Sequence, residues 1–174
     1  MIGHWLALLS SWLPGKIKPD QLRRVVAHLA PSRQGVLGIP WGITRVELPQ
    51  LLPPPLATAL AADPGQADHL VQVRSHLYRI PVTFTFMFFL KKQPLSGFSG
   101  LSIVFLRPCP AAAQTLSELF GPPKDQWSMP GASPRHPETH TLWIGDGFDV
   151  VSEMTVYNTG ALTFELPRMS LSVK

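Results

Sequence analysis

Alternation between large apolar and polar positions is strongest across residues 81–106. Val82, Phe84, Phe86 and Phe88 fall on one face of an extended chain, with Thr83, Thr85 and Met87 on the other. This period of two marks a half-buried strand. Leu101, Ile103 and Phe105 repeat it after a polar, glycine-containing connection. The pattern predicts a hairpin whose apolar face must be covered by other elements.

Helical spacing dominates the segment before it. Trp5, Leu8, Leu9 and Trp12 lie at i, i+3, i+4 and i+7, and Pro14-Gly15 ends the run, predicting a short amphipathic helix. Asp20 reads as the N-cap of a second helix ending at Leu29, with Leu22, Val25, Val26 and Leu29 as its buried stripe and Arg23 and Arg24 outward. Thr44-x-x-Glu47 has the form of a capping box. Pro49 limits the helix it would start, and the prolines at 53–55 stop it. Residues 56–62 supply another turn or two of helix, and Asp63-Pro64-Gly65 a tight turn before a strand over 69–80.

After Pro108 the pattern starts again. Pro110 suits the first helical position, Leu116, Leu119 and Phe120 form an apolar face, and Gly121 followed by two prolines closes the helix. Residues 124–139 read as a long loop carrying Trp127, Met129, Pro130, Pro134 and Pro137, a length that marks functional loops in small domains. Strands are predicted over 140–144, 148–157 and 160–166, separated by turns at Asp146-Gly147 and Asn158-Thr159-Gly160.

The two halves share an order. Thr44-x-x-Glu47-Leu48 before Pro53-Pro54 matches Thr115-x-x-Glu118-Leu119 before Pro122-Pro123, and the strand opening at Gly100 takes the place of the one opening at Gly160. The expected fold is therefore α+β: one domain over 1–174, with an antiparallel sheet from two helix-plus-three-strand units at 38–107 and 108–167. Two extra N-terminal helices lie within 1–30.

Composition narrows the function. A hydrophobic fraction of 45% with 15% charged residues describes a chain with a real core, and 19 prolines in 174 residues imply rigid connections. The N-terminal apolar run lacks a preceding basic residue and a small-residue cleavage site, and is too short to span a bilayer. A cytoplasmic protein with no membrane association is the expectation. Net charge is +4 but uneven: residues 1–109 hold eleven Lys/Arg against four Asp/Glu, and residues 110–174 four against seven.

With these elements in place, the chain resembles the β-lactamase-inhibitory-protein fold, whose tandem units each join a helix to a β-meander, and small bacterial immunity proteins. The residues that carry the resemblance are Gly38, Pro40, Trp41, Gly42, Thr44 and Glu47 at the start of one unit, and Leu119-Phe120-Gly121-Pro122-Pro123 at a helix end. Related envelope lipoprotein domains carry a lipidated cysteine near the N-terminus, which this chain lacks. The resemblance implies a binding protein and carries over no catalytic residues.

Candidate chemistry is sparse. His136, Glu138 and His140 alternate as strand ligands of a metal would, with Pro137 and the lack of a fourth ligand against that role. Asp146 fits turn chemistry, while Asp149 and Glu153 share the face opposite Phe148 and Val150. Cys109, between two prolines, has no base near it in sequence and reads as a buried residue. No phosphate-cradling glycine loop or Gly-x-Ser-x-Gly elbow is present. Trp41 and Trp127, in proline-containing loops, are either lids on the core or anchors for a partner.

The sequence thus points to a non-enzymatic protein-binding protein with no cofactor, an immunity or inhibitor protein that blocks a cognate toxin or effector by occlusion. Trp41, Trp127, Asp146, Asp149 and Glu153 are its candidate partner-binding residues. Two alternatives stand: a metal-assisted hydrolase using His136, Glu138 and His140, and a nucleic-acid binder using Lys16, Lys18, Arg23 and Arg24.

Overall fold

The computed structural model describes residues 15–61, 69–89, 97–105, 107–133, 136–155 and 159–167. The helix expected around Trp5 and Trp12 lies outside them. Helix α1 (Pro19–Leu29) is followed by a two-stranded ribbon, β1 (Gly35–Val36) with β2 (Ile39–Pro40), and the short helices α2 (Leu48–Leu51) and α3 (Pro54–Ala61). Strands β3 (Leu70–Leu77), β4 (Ile80–Phe89) and β5 (Gly97–Phe105) precede α4 (Ala112–Phe120). Strands β6 (Asp125–Ser133), β7 (His136–Ile144), β8 (Asp149–Met154) and β9 (Gly160–Glu165) complete the chain.

The seven longer strands form one antiparallel sheet in the order β3-β4-β5-β9-β8-β7-β6. The fold is α+β, as expected, and the two meanders share a sheet through β5 and β9. The second meander has four strands where three were expected. Much of the 124–139 loop is the β6–β7 hairpin, with Trp127 opposite His140 and Met129 opposite Glu138.

One face of the sheet carries the core. Val71 and Val73 of β3, Val82, Phe84 and Phe86 of β4, Leu101, Ile103 and Phe105 of β5, and Leu162 and Phe164 of β9 are all buried there, with Val150 and Trp143 from the second half. The helices close over them with Leu22, Val25, Val26 and Leu29 of α1, Leu48 of α2, Leu56 of α3 and Leu116 of α4. Trp143 reaches α4, donating its indole N–H to the Ser117 hydroxyl at 3.2 Å. Among the described residues no helix is long and apolar enough to cross a membrane.

Several helix boundaries differ from the sequence reading. Asp20 lies inside α1, not at its cap, because Pro19 suits the first helical position; Lys18 is the cap residue and donates its N–H to Gln21 Oε1 at 3.0 Å. Glu47 does reach back to the Thr44 N–H at 2.8 Å, but Thr44–Glu47 forms a turn and the helix begins at Leu48. Pro54 and Pro55 open α3 instead of ending a helix, since first-turn prolines lose no helical hydrogen bond. Thr115 and Glu118 sit inside α4, so the two Thr-x-x-Glu motifs are not equivalent, and Leu119 is exposed.

Two surface ion pairs tie distant segments. Arg23 pairs with Asp20 at 2.7 Å and with Glu118 of α4, joining α1 to α4. Arg33 grips the Asp146 carboxylate with its Nε (3.2 Å) and one Nη (2.7 and 2.9 Å). Gly147 permits that approach: its φ is +81°, and a Cβ there would lie 2.7 Å from the Arg33 Cβ.

The β3–β4 turn places Tyr78 (φ 49°) and Arg79 (φ 65°) in the left-handed region, which L side chains occupy at a cost. Arg79→Gly is expected to raise stability by about 0.5–1 kcal/mol in urea unfolding; an unchanged or lowered midpoint contradicts the strain. Glu118 offers a second test. Its hydrogen bond from Arg23 holds the carboxyl below its ordinary value of 4.5. A depressed folded-state value stabilises above the unfolded value and is lost as pH falls through the folded one. Arg23→Gln should therefore move the Glu118 titration, followed by carboxyl NMR, back up toward 4.5.

Candidate functional site: the β6–β7 edge and outer face

The sheet face away from the helices changes character along its width. In its second half the outward positions are Asp125, Trp127 and Met129 on β6, Glu138, His140, Leu142 and Ile144 on β7, Asp149, Val151 and Glu153 on β8, and Ala161, Thr163 and Glu165 on β9. The carboxylates on this part of the face all come from residues 110–174.

At the centre lies His140, only 8% exposed. Trp127 stacks on its imidazole with ring centroids 5.4 Å apart and planes 16° from parallel. Glu138 approaches Nε2 at 3.9 Å and Glu153 approaches Nδ1 at 3.8 Å. Both distances exceed direct hydrogen-bond reach, and Nε2 is buried with no hydrogen-bond partner among the described residues. Protonation of the imidazole would turn both contacts into ion pairs.

β6 is a sheet edge, paired only with β7 among the described strands. Residues 125–129 are exposed on both faces of the strand, including Trp127 (37%) and Met129 (47%). An edge strand presents a row of backbone N–H and C=O groups to which another extended chain can add. Two large apolar side chains standing on that edge give such a chain something to bury.

The five candidate partner-binding residues separate in space. Trp127 and Glu153 meet around His140. Trp41 is a lid: it stacks on Phe98 at 5.3 Å and donates its indole N–H to the Ser32 carbonyl at 3.0 Å. Its loop docks through Gly42 N–H to Phe98 O and Phe98 N–H to Ile43 O, both 2.8 Å. Gly97 admits this loop, since a Cβ there would meet the Gly42 oxygen at 2.2 Å. Asp146 is held by Arg33, and Asp149 is buried.

Glu138 shares the outward face of β7 with His140, and Pro137 lies within the strand. The His136 side chain lies outside the described residues, and among those described no three His, Cys, Asp or Glu side chains are grouped to hold a metal ion. Of the four basic residues considered for nucleic acid, Arg23 is engaged by two carboxylates.

Sequence reasoning passed over a cleft of about 310 Å³ at the other end of the molecule, where His28, Pro55, Leu56, His76, Tyr78 and Phe84 converge. Those residues come from α1, α3 and the β3–β4 hairpin, so no local motif announces them. The strained turn sets Tyr78 edge-on to His28, with ring centroids 6.1 Å apart.

No family model matches the chain, and no curated protein matches it. Among solved structures it is similar to a DUF4309 family protein, YjgB, from Bacillus subtilis subsp. subtilis strain 168, with a TM-score of 0.55. The likeness covers 85% of this chain and 97% of that one at 9% sequence identity. It shows a shared fold.

Cys109 is buried, and desolvation pushes its thiol up to about 11 from an ordinary 9.0. The thiolate is the reactive form. Two units lower its population at pH 8 by roughly a hundredfold. Alkylation by iodoacetamide at pH 8 should therefore be slower by about that factor in the folded protein than in urea. Equal rates would mean that the thiol is neither buried nor protonated.

Proposed function

We propose that this is a protein-binding protein that captures an extended segment of its partner along β6, with Trp127 and Met129 as anchors. The observation that carries this reading is the β6 edge itself: an outermost strand, exposed on both faces, with two large apolar side chains on one of them. Added backbone hydrogen bonds supply register, and burial of the tryptophan and methionine supplies affinity.

Charge supports a choice of partner. Asp125, Glu138 and Glu153 share the outward face beside these anchors, so the fitting surface is cationic. Occlusion of a toxin or effector enzyme, as immunity and inhibitor proteins perform it, fits this arrangement: a partner strand held on β6 extends the sheet, and the body that carries it is brought against the acidic face, where its active site would be covered. The wider resemblance to tandem helix-plus-meander binding proteins points the same way.

The experiment is coexpression with candidate toxins encoded by genes neighbouring this protein's own. Growth should be rescued, and a complex should survive purification. Trp127→Ala and Met129→Ala should each weaken that complex by roughly tenfold or more, whereas Trp41→Ala should act through stability, visible as a lowered melting temperature. Absence of both rescue and complex overturns the proposal.

A further inference from the structure

The inward face of the second meander contains a cavity whose lining differs from that of the cleft beside the first. A cavity of about 290 Å³ is lined by Gln126 of β6, Thr139 and Thr141 of β7, Ser152 of β8, and Cys109 and Ala113 at the start of α4, among others. None of its lining side chains carries a formal charge.

The duplicated sheet shows how unusual this is. Aligning the two glycines, Gly100 on Gly160, would put inward Leu101 on outward Ala161, because Leu101 pairs with Phe164 and Val104 with Ala161. Keeping inward residues on inward residues requires a one-residue offset. In one direction Leu101 corresponds to Leu162, and the ladders then carry Phe86 onto Ser152 and Val71 onto Thr141. In the other, Ile103 corresponds to Leu162, and Phe84 falls on Ser152 and Val73 on Thr141. Either way, a phenylalanine and a valine of one core are replaced by two hydroxyls in the other.

Those hydroxyls are not used within the described part of the protein. Ser152 is 3% exposed and Thr141 6%, and neither side chain has a hydrogen-bond partner among the described residues, although both line the cavity. Their oxygens open onto the cavity, where a bound polar group can use them. The start of α4 adds donors. Ala111 stands at its N-cap with no side-chain hydrogen bond, and the Ala112 N–H goes to the Cys109 carbonyl at 3.1 Å. The next two amides, of Ala113 and Gln114, have no intrahelical acceptor, as first-turn geometry requires.

We infer that this cavity binds the oxyanion of a small molecule, a carboxylate or a phosphate, with Ser152 and Thr141 donating from the sheet and the Ala113 amide, in the first turn of α4, donating from the helix. A helix N-terminus favours negative charge, and hydroxyls rotate to donate. The volume exceeds that of the anionic group alone, so the cavity also takes a small organic body beside Met154 and Pro110. The site is on the face of the sheet opposite the protein-binding edge and does not depend on that reading.

The test is titration of the ¹⁵N-labelled full chain with sodium acetate and, separately, sodium phosphate, at constant ionic strength made up with chloride. Saturable shifts of the Ala113 and Gln114 amide resonances are expected. Saturation by acetate assigns a carboxylate ligand and saturation by phosphate a phosphorylated one. Ser152→Ala and Thr141→Val should each weaken binding by roughly tenfold, the loss of one charge-assisted hydrogen bond. Melting curves establish that the variants fold, and Thr139→Val replaces either one that does not. Shifts that do not saturate with either anion overturn the inference, as does saturation unaffected by removing the hydroxyls.

Discussion

Six residue pairs between β5 and β9 hold the two halves of this protein in one sheet, from Gly100 opposite Glu165 to Phe105 opposite Gly160. Each meander alone is a small sheet with one apolar face, and neither has enough neighbouring surface to bury it. Pairing Leu101 with Phe164 and Ile103 with Leu162 makes the two faces continuous, so that α1 and α4 can lie side by side across the junction. The Arg23–Glu118 ion pair is a surface consequence of that arrangement. Burial of the central side chains is what the helices, the Trp41 lid and the Arg33–Asp146 clamp all depend on.

The central hairpin was legible because its sequence obeys one period without interruption: four apolar residues of β4 face the same way, and all four are buried. The α1 stripe was legible for the same reason at helical spacing. Strand β6 was not, because burial is what writes alternation into a sequence and an edge strand exposed on both faces has little of it. Trp127 and Met129 at i and i+2 were the available signal, masked by Pro130 and Gly131. The Thr-x-x-Glu motifs misled because two residues three apart make the same local contact in a turn as at a helix start, as Thr44 and Glu47 do.

The candidate site divides in the same way. Trp127 was visible as an unusual residue in an exposed stretch. Its partner His140 was visible only as a possible ligand, since the stacking arises from the β6–β7 register. Trp41 and Trp127 are indistinguishable by local composition, and only the dock of residues 42–43 onto Phe98 makes one a lid. Ser152 and Thr141 fall inside predicted strands, where nothing in the sequence singles them out. Their position against α4 is a matter of tertiary packing, and a hydroxyl facing inward has no sequence signature beyond its place in the alternation.

An exposed edge carrying a tryptophan and a methionine is also a template on which a second copy of the same chain could stack, the first step toward a fibre. Here the flanking side chains oppose it. Two β6 edges brought together would set Asp125 and Glu138 of one molecule near those of the other, and Pro130 withholds a backbone donor within the strand. Like charge repels like in any register of such a stack. The carboxylates that would welcome a basic partner therefore also keep the molecule from mistaking itself for one.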